Sequence, residues 1–389
     1  MSISWTSYSS AMRIPFNKPF LTGRELDYIR QAVESGKISG DGLFTQKCHH
    51  FFEKRYRFKK ALLTTSCTDA LEMAAILCDI RPGDEVIVPS FAFVSTANAF
   101  VLRGARIVFA DSERATPNID SNSLKELVTP RTRAIVPVHY AGVACDMDTI
   151  MAVARHHGVL VVEDAAQAVD SFYQGEPLGS IGCFGAFSFH ETKNIISGEG
   201  GLLAVNEKRF IRRAEIIREK GTNRSAFFRG EIDKYSWVDI GSSFLPSEIT
   251  AAFLYAQVEN LAAIQRKRRR LWDSYYQLLS ASASKGLLDL PQISPGATNN
   301  AHMFYIVCRS LDERTGLIAH LKEHGIMAVF HYLPLHRSPY YSSKHSGRPL
   351  PNCDRFSECL VRLPMYYAMS VDDVAFVAEQ VCRYFDRRC

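Results

Sequence analysis

Residues 159–170 read VLVVEDAAQAVD. The first half is an unbroken aliphatic run, two acids follow at Glu163 and Asp164, and the remainder is small and mostly apolar. A short apolar run without polar alternation is the pattern of a strand covered by helices on both faces. The pattern recurs in ALLTTS (61–66), EVIVPS (85–90), RIVFAD (106–111), AIVPVHY (134–140), FGAFSF (184–189) and GLLAVN (201–206), with helical patterns between them. Strands alternating with helices in this way predict an α/β fold built on a mostly parallel sheet.

The texture changes after about residue 250. A long helical pattern from Ser247 to about Leu279 leads into a second α/β region. There MFYIVC (303–308) and IMAVFHY (326–332) are expected strands, and 313–324 and 371–386 expected helices. The expected organisation is a flexible extension over residues 1–13, a large domain over 14–250 and a smaller C-terminal α/β domain over 251–389. The opening MSISWTSYSSAMR lacks the basic start and apolar core of a signal peptide. An upstream start before Met12 is the alternative to a flexible extension.

Composition narrows the function. The 389 residues are 47% hydrophobic and 22% charged, with a net charge of +5. That is ordinary globular composition, and the mild positive balance suits an anionic substrate. The one basic cluster, Arg266–Arg270, lies in a helical pattern and reads as a solvated face, so no nucleic acid is expected. No run of eighteen apolar residues is present, so no membrane span is expected. Ten cysteines with no C-x-x-C pair argue for reduced thiols and against a zinc site.

Polar residues gather at strand ends. Ser66, Asp111, His139, Asp164 and Ser188 each close a strand, on the edge where open α/β sheets bind ligands. In TTSCTDALEMAAIL (64–77) a strand meets a helix start, an anion site in its own right, although Ser66 or Thr68 as a plain cap is the blander reading. Glu163 and Asp164 point to opposite faces, and a buried carboxylate there needs a cation or N–H partner. Helix capping by Asp164 competes with that role, because AAQAVD looks helical. In FSFHETKNIISGEGG (187–201), Lys193 follows a strand and precedes a glycine-rich turn. It reads either as a solvated charge or as a Schiff-base lysine. Together the pieces meet the needs of pyridoxal phosphate: a helix N-terminus for the phosphate, an acid for the pyridine nitrogen and a lysine for the aldehyde.

At GDGLFTQKC, TTSCTDALEMAA, GDEVIVPSFAFVSTANAF, VPVHYAG, VEDAAQA, FSFHETKN, GEGG and HYLPLH the chain resembles the DegT/DnrJ/EryC1/StrS sugar aminotransferases, of pyridoxal-phosphate transferase fold type I. The likeness runs from about Ile14 to the C-terminus. HETKN, REKGTNRSAFFRG and NAHMFYI sharpen it toward members that aminate C4 of dTDP-4-keto-6-deoxyglucose with L-glutamate. The resemblance implies a cytoplasmic homodimer with shared active sites, making precursors of enterobacterial common antigen or lipopolysaccharide. By position it makes Lys193 the Schiff-base lysine and proton shuttle, and Asp164 the partner of the pyridine nitrogen. Gln167 would contact the ring hydroxyl, and Phe93 would stack on the ring. The amides of Cys67 and Thr68 and the Ser188 hydroxyl would hold the phosphate.

The sequence departs from the family pattern in DIGSSF, where many relatives carry Asn; Ser242 or Ser243 would replace it from across a dimer interface. The sugar nucleotide is expected against SGKISGDG (35–42), with Lys37 and Gly40, and against HYLPLH (331–336), with His331 and His336. Packed or capping histidines are the alternative, and no metal is expected. Family dehydratases carry His at the lysine position, so Lys193 favours transamination over that rival, and Lys193 with Asp164 counts against an inert sensor. A transaminase forming the gluco epimer is the nearest alternative.

Overall fold

The computed structural model describes residues 13–386. The expected extension falls outside them except for its last residue. The large sheet is formed by β1 (Lys60–Thr64), β2 (Glu85–Pro89), β3 (Arg106–Ala110), β4 (Thr132–Ile135), β5 (Leu160–Asp164), β8 (Phe184–Ser188) and β9 (Gly201–Val205); β6 (Phe172–Tyr173) and β7 (Glu176–Pro177) make a small separate hairpin. The strand order is β1-β9-β8-β5-β4-β2-β3, and β9 alone runs against its neighbours. Each expected run contains a strand, trimmed where the chain turns out toward the sheet edge. The largest trim is at AIVPVHY, whose strand ends at Ile135. Pro137 has no N–H to give a ladder, and only an isolated bridge from Val138 to Asp164 follows.

The helices are α1 (Glu25–Glu34), α2 (Leu43–Tyr56), α3 (Cys67–Leu77), α4 (Ser95–Val101), α5 (Leu124–Leu127), α6 (Met147–His157), α7 (Lys208–Arg218), α8 (Arg224–Phe228), α9 (Glu248–Glu259), α10 (Leu261–Ser284), α11 (Leu311–Glu323), α12 (Pro351–Cys359) and α13 (Val371–Asp386). One apolar core lies under α3, α4 and α7, and a second under α1, α2, α6 and α9, so both sheet faces are covered. That burial is why the strands read as continuous apolar runs.

The expected long helix is two. Asn260 leaves helical geometry, and its side chain bonds back to the Ala256 carbonyl at 3.0 Å. Helix α9 packs on α1 and α2, whereas α10 packs on α13. The small sheet, β10 (Phe304–Val307), β12 (Leu360–Leu363) and β11 (Val329–Phe330) in that order, is antiparallel. Its central strand β12 was not anticipated, because Arg362 interrupts the apolar run. Val361 and Leu363 face the small-domain core, and Leu360 packs with the large-domain core, so Arg362 shares the face turned toward the large domain.

Two further expectations need correction. Residues 166–169 form turns rather than a helix, so Asp164 caps no helix. The basic cluster on α10 is not a wholly solvated face: Arg268 is 4% exposed, and its guanidinium donates to the carbonyls of Ala301 at 2.9 Å and His302 at 2.6 Å. Among the described residues no helix is long and apolar enough to cross a membrane.

Candidate active site

Where the parallel strands end, the small domain closes over the sheet edge and leaves a cavity of about 780 Å³. One wall is the start of α3. Ser66 caps it by accepting the Asp69 N–H at 3.0 Å. The first N–H groups of the helix, Cys67 and Thr68, have no intrahelical acceptor and line the cavity beside Ser188. Burial pushes the Cys67 thiol well up, so it stays neutral and does not oppose an anion. The turn ending at Gly201 has a packing reason: a Cβ there would lie 2.3 Å from the carbonyl carbon and oxygen of Ser66. Only glycine lets β9 run this close under the start of α3.

The two acids of β5 separate as the alternation predicts. Glu163 accepts N–H groups from Gly179, Ile181 and Gly182 and faces His139 at 2.9 Å. Asp164 faces the cavity. It accepts the Thr96 hydroxyl at 2.6 Å and the Ala166 N–H at 3.1 Å. Burial raises its pKa, opposed by those bonds and by Lys193. A carboxyl so placed is short of a cation, which a protonated pyridine nitrogen would supply.

Lys193 is half-buried, and burial lowers its pKa toward the neutral amine. Its loop is held by the next residue. Asn194 donates to Gln265 at 2.8 Å and to the Asn300 carbonyl at 2.9 Å, and pairs with His302 Nδ1 at 2.9 Å. The loop is thereby tied to α10 and to the approach to β10. Gln167 accepts the Ala141 N–H at 2.6 Å and donates to the Tyr332 hydroxyl at 3.2 Å. Phe93, 56% exposed, lies at the cavity margin with its ring 6.1 Å from that of Tyr332. The donor set therefore fits pyridoxal phosphate: free amides for its phosphate, an acid short of a cation for its ring and a buried amine for its aldehyde.

The expected sugar-nucleotide residues divide. His331 lines the cavity, but both its ring nitrogens are engaged, Nδ1 with the Tyr140 hydroxyl at 3.0 Å and Nε2 with Arg362 at 3.4 Å. Burial, then the charges of Arg362 and Lys193, hold it well below the usual histidine range, so it is neutral. His336 is outside the cavity lining: Nδ1 meets Ser90 Oγ at 2.7 Å, and Nε2 lies 3.5 Å from Asp354. The order Ser–His–Asp resembles a nucleophilic triad, but Ser90 is 0% exposed and also accepts the His336 N–H, so the cluster braces the HYLPLH turn.

Lys37 and Gly40 are also outside the lining. Gly40 lacks a side chain for a packing reason, since a Cβ would meet the Pro246 carbonyl at 2.3 Å. Ser242 and Ser243 are exposed on a segment bridged to Glu219, away from this chain's own cavity. Sequence reasoning missed Thr96, His302, Tyr332 and Arg362. Arg362 alone carried a signal, a single charge inside the apolar run LVRL.

Residues 19–382 match the model of the DegT/DnrJ/EryC1/StrS aminotransferase family. Over 381 residues the chain is 34% identical to the spore coat polysaccharide biosynthesis protein SpsC of Bacillus subtilis (strain 168), covering 95% of this chain and 96% of that one. The crystal structure of the aminotransferase TlmJ from Streptoalloteichus hindustanus is similar with a TM-score of 0.89 and 29% identity, over 97% of this chain and 100% of that one. DesV of S. venezuelae, solved in complex with a ketimine intermediate, gives 0.87 and 29%, over 97% and 99%.

Proposed function

The chain belongs to the DegT/DnrJ/EryC1/StrS aminotransferase family, and from that premise we propose that it is a dTDP-4-amino-4,6-dideoxygalactose transaminase, moving the amino group of L-glutamate to C4 of dTDP-4-keto-6-deoxyglucose. The observation that carries the catalytic part is one cavity holding the half-buried Lys193, the cation-short Asp164 and the open start of α3. The choice of sugar rests on the HETKN, REKGTNRSAFFRG and NAHMFYI segments.

The cofactor is pyridoxal 5'-phosphate. When bound it supplies the electron sink that makes the bond from the substrate carbon to hydrogen acidic. The remaining work falls to this chain. The amides of Cys67 and Thr68 and the Ser188 hydroxyl would hold the phosphate with neutral donors and the helix dipole. Asp164 would keep the ring nitrogen protonated, and Gln167, braced by Ala141 and Tyr332, would meet the ring hydroxyl. Phe93 would cover the ring and exclude water. Lys193 Nζ would take the proton from the α carbon of glutamate and deliver one to C4 of the sugar.

We also propose a homodimer. Trp237, Phe228 and Tyr235 are 80%, 65% and 52% exposed on the stretch from Asn223 to Ser243, an apolar surface suited to burial against a second copy. Ser242, Ser243, Lys37 and Gly40 would then act in the neighbouring subunit's cavity.

The test is to incubate the loaded enzyme with L-glutamate, then with dTDP-4-keto-6-deoxyglucose, and to assign the C4 configuration of the product by NMR. An axial amine at C4 is expected; the gluco epimer, or dehydration without amination, would sink the assignment.

A further inference from the structure

The bonds around His302 fix which of its ring nitrogens carries the proton. A backbone carbonyl can only accept, so the Asn300 carbonyl, 2.9 Å from Nδ2 of Asn194, settles which end of that amide bears the hydrogens. The second amide hydrogen goes to Gln265 Oε1 at 2.8 Å. Oδ1 of Asn194 is therefore an acceptor, and Nδ1 of His302, 2.9 Å away, donates to it. Burial, and then the charge of Lys193, hold the ring well below the usual histidine range, so it is neutral. Nε2 is left with a lone pair on the side of the ring away from Asn194, and among the described residues no hydrogen bond reaches it.

His302 and Lys193 line the same cavity, and the residue that His302 holds, Asn194, is the next in the chain. Lys193 acts on the ring more strongly than any other charge, ahead of Arg362, Arg268 and His331. The groups that act in turn on Lys193 come from three elements: the Cys67 thiol at the start of α3, Asp164 at the end of β5, and Arg362 on β12, whose Nε is buried without an acceptor. The thiol is neutral, and Asp164 already accepts from Thr96 and Ala166. Resting on the aminotransferase reading above, we infer that His302 is the positioning residue for Lys193, its Nε2 accepting one N–H of the lysine and so turning the lysine's lone pair toward the substrate carbon.

When Nζ takes the proton from that carbon, the electron pair of the broken bond passes to the cofactor and the amine becomes an ammonium. An ammonium only donates, so an acceptor already in place stabilises it as it forms. The acceptor suits a shuttle because it is neutral. A second carboxylate in its place would hold the proton on Lys193 too tightly for its return. The bond from Nδ1 to Asn194 keeps the ring from turning over and from offering an N–H where the lone pair is needed.

Two substitutions separate the two nitrogens. His302→Asn keeps a donor where Nδ1 stands and removes the acceptor at Nε2, whereas His302→Gln keeps an acceptor near Nε2 and removes the donor to Asn194. The stripped proteins are mixed with pyridoxal phosphate across a pH series, and stopped-flow spectra of the loaded proteins follow conversion by L-glutamate. In His302→Asn the limiting rate with glutamate should fall about tenfold, one hydrogen bond's contribution to the forming ammonium. Its uptake midpoint should move down by about half to one pH unit, because the charged lysine has lost an acceptor. His302→Gln should keep both values close to wild type, the rate within about threefold, while melting at a lower temperature. An unchanged rate and midpoint in His302→Asn, a midpoint that moves up toward that of an ordinary lysine, or a slower His302→Gln than His302→Asn would overturn the inference, the last by showing that the ring acts only through Asn194. Neither readout involves the sugar, so a product other than the one proposed would refute that assignment and leave this result standing. A wild type unreactive toward glutamate would refute the donor, and the uptake midpoints would still decide the role of His302.

Discussion

Glu163 and Asp164 are adjacent in sequence and nearly equal in burial, yet they belong to different parts of the molecule. Glu163 points to the side of β5 away from the cavity and has three backbone N–H donors and His139 around it. Asp164 points into the cavity with only a hydroxyl and one N–H. The same contrast separates Arg268 from Arg362. A buried polar group with all its partners supplied by the chain is part of the structure, whereas one left short at a cavity wall is waiting for a ligand.

The sharpest way to break that distinction is at the cavity. Lys193→Ala should lower turnover by at least about four orders of magnitude, because among the described residues no other lysine lines the cavity to move the proton. Normal transamination by this variant would remove the site from the map. Next comes the pair of acids. Asp164→Asn should slow both half-reactions by about two to three orders of magnitude, since the electron sink loses its counter-charge.

The same change should stabilise the cofactor-free protein. The folded-state pKa of Asp164 is raised, so the folded chain favours its protonated form, and stability falls as pH rises through that pKa. A neutral Asn escapes this loss at pH 7, and the melting temperature should rise by about 1–3 °C. Glu163→Gln should behave in the opposite way, lowering stability by roughly 3 kcal/mol with little change in turnover per folded molecule, because it breaks a satisfied buried network. Matching responses from the two acids would erase the comparison.

The smallest expected effect concerns pH. Burial lowers the pKa of Lys193, and only its neutral amine can attack an aldehyde. Cofactor uptake by the stripped enzyme should therefore speed up as pH rises and level off at a midpoint below that of an ordinary lysine. A midpoint at or above the ordinary lysine value would show that Lys193 is a solvated charge.

The sequence was informative where physical roles are local. Continuous apolar runs located every strand of the large sheet, and the alternation along β5 assigned Glu163 and Asp164 to opposite faces. The place of Lys193 between a strand and a glycine-rich turn was legible for the same reason, whereas its facing the cavity was visible only in the fold. Thr96, His302 and Tyr332 were not, because each reaches the cavity from an element whose own pattern records only that it packs. The break at Asn260 was hidden too, since an apolar helical stripe continues through it and only the different partners of α9 and α10 make it visible.

The sequence by itself determined an α/β chain with a helix start, an acid and a lysine in that order, because strand period, helix capping and residue chemistry act within a few bonds of the backbone. Tertiary structure alone decided which polar groups are left unsatisfied. Arg268 and Arg362 have the same side chain, and no local pattern distinguishes the one that finds carbonyls from the one that faces a cavity. That distinction depends on acceptors contributed by segments distant in sequence, and those segments meet only when the small domain closes over the sheet edge.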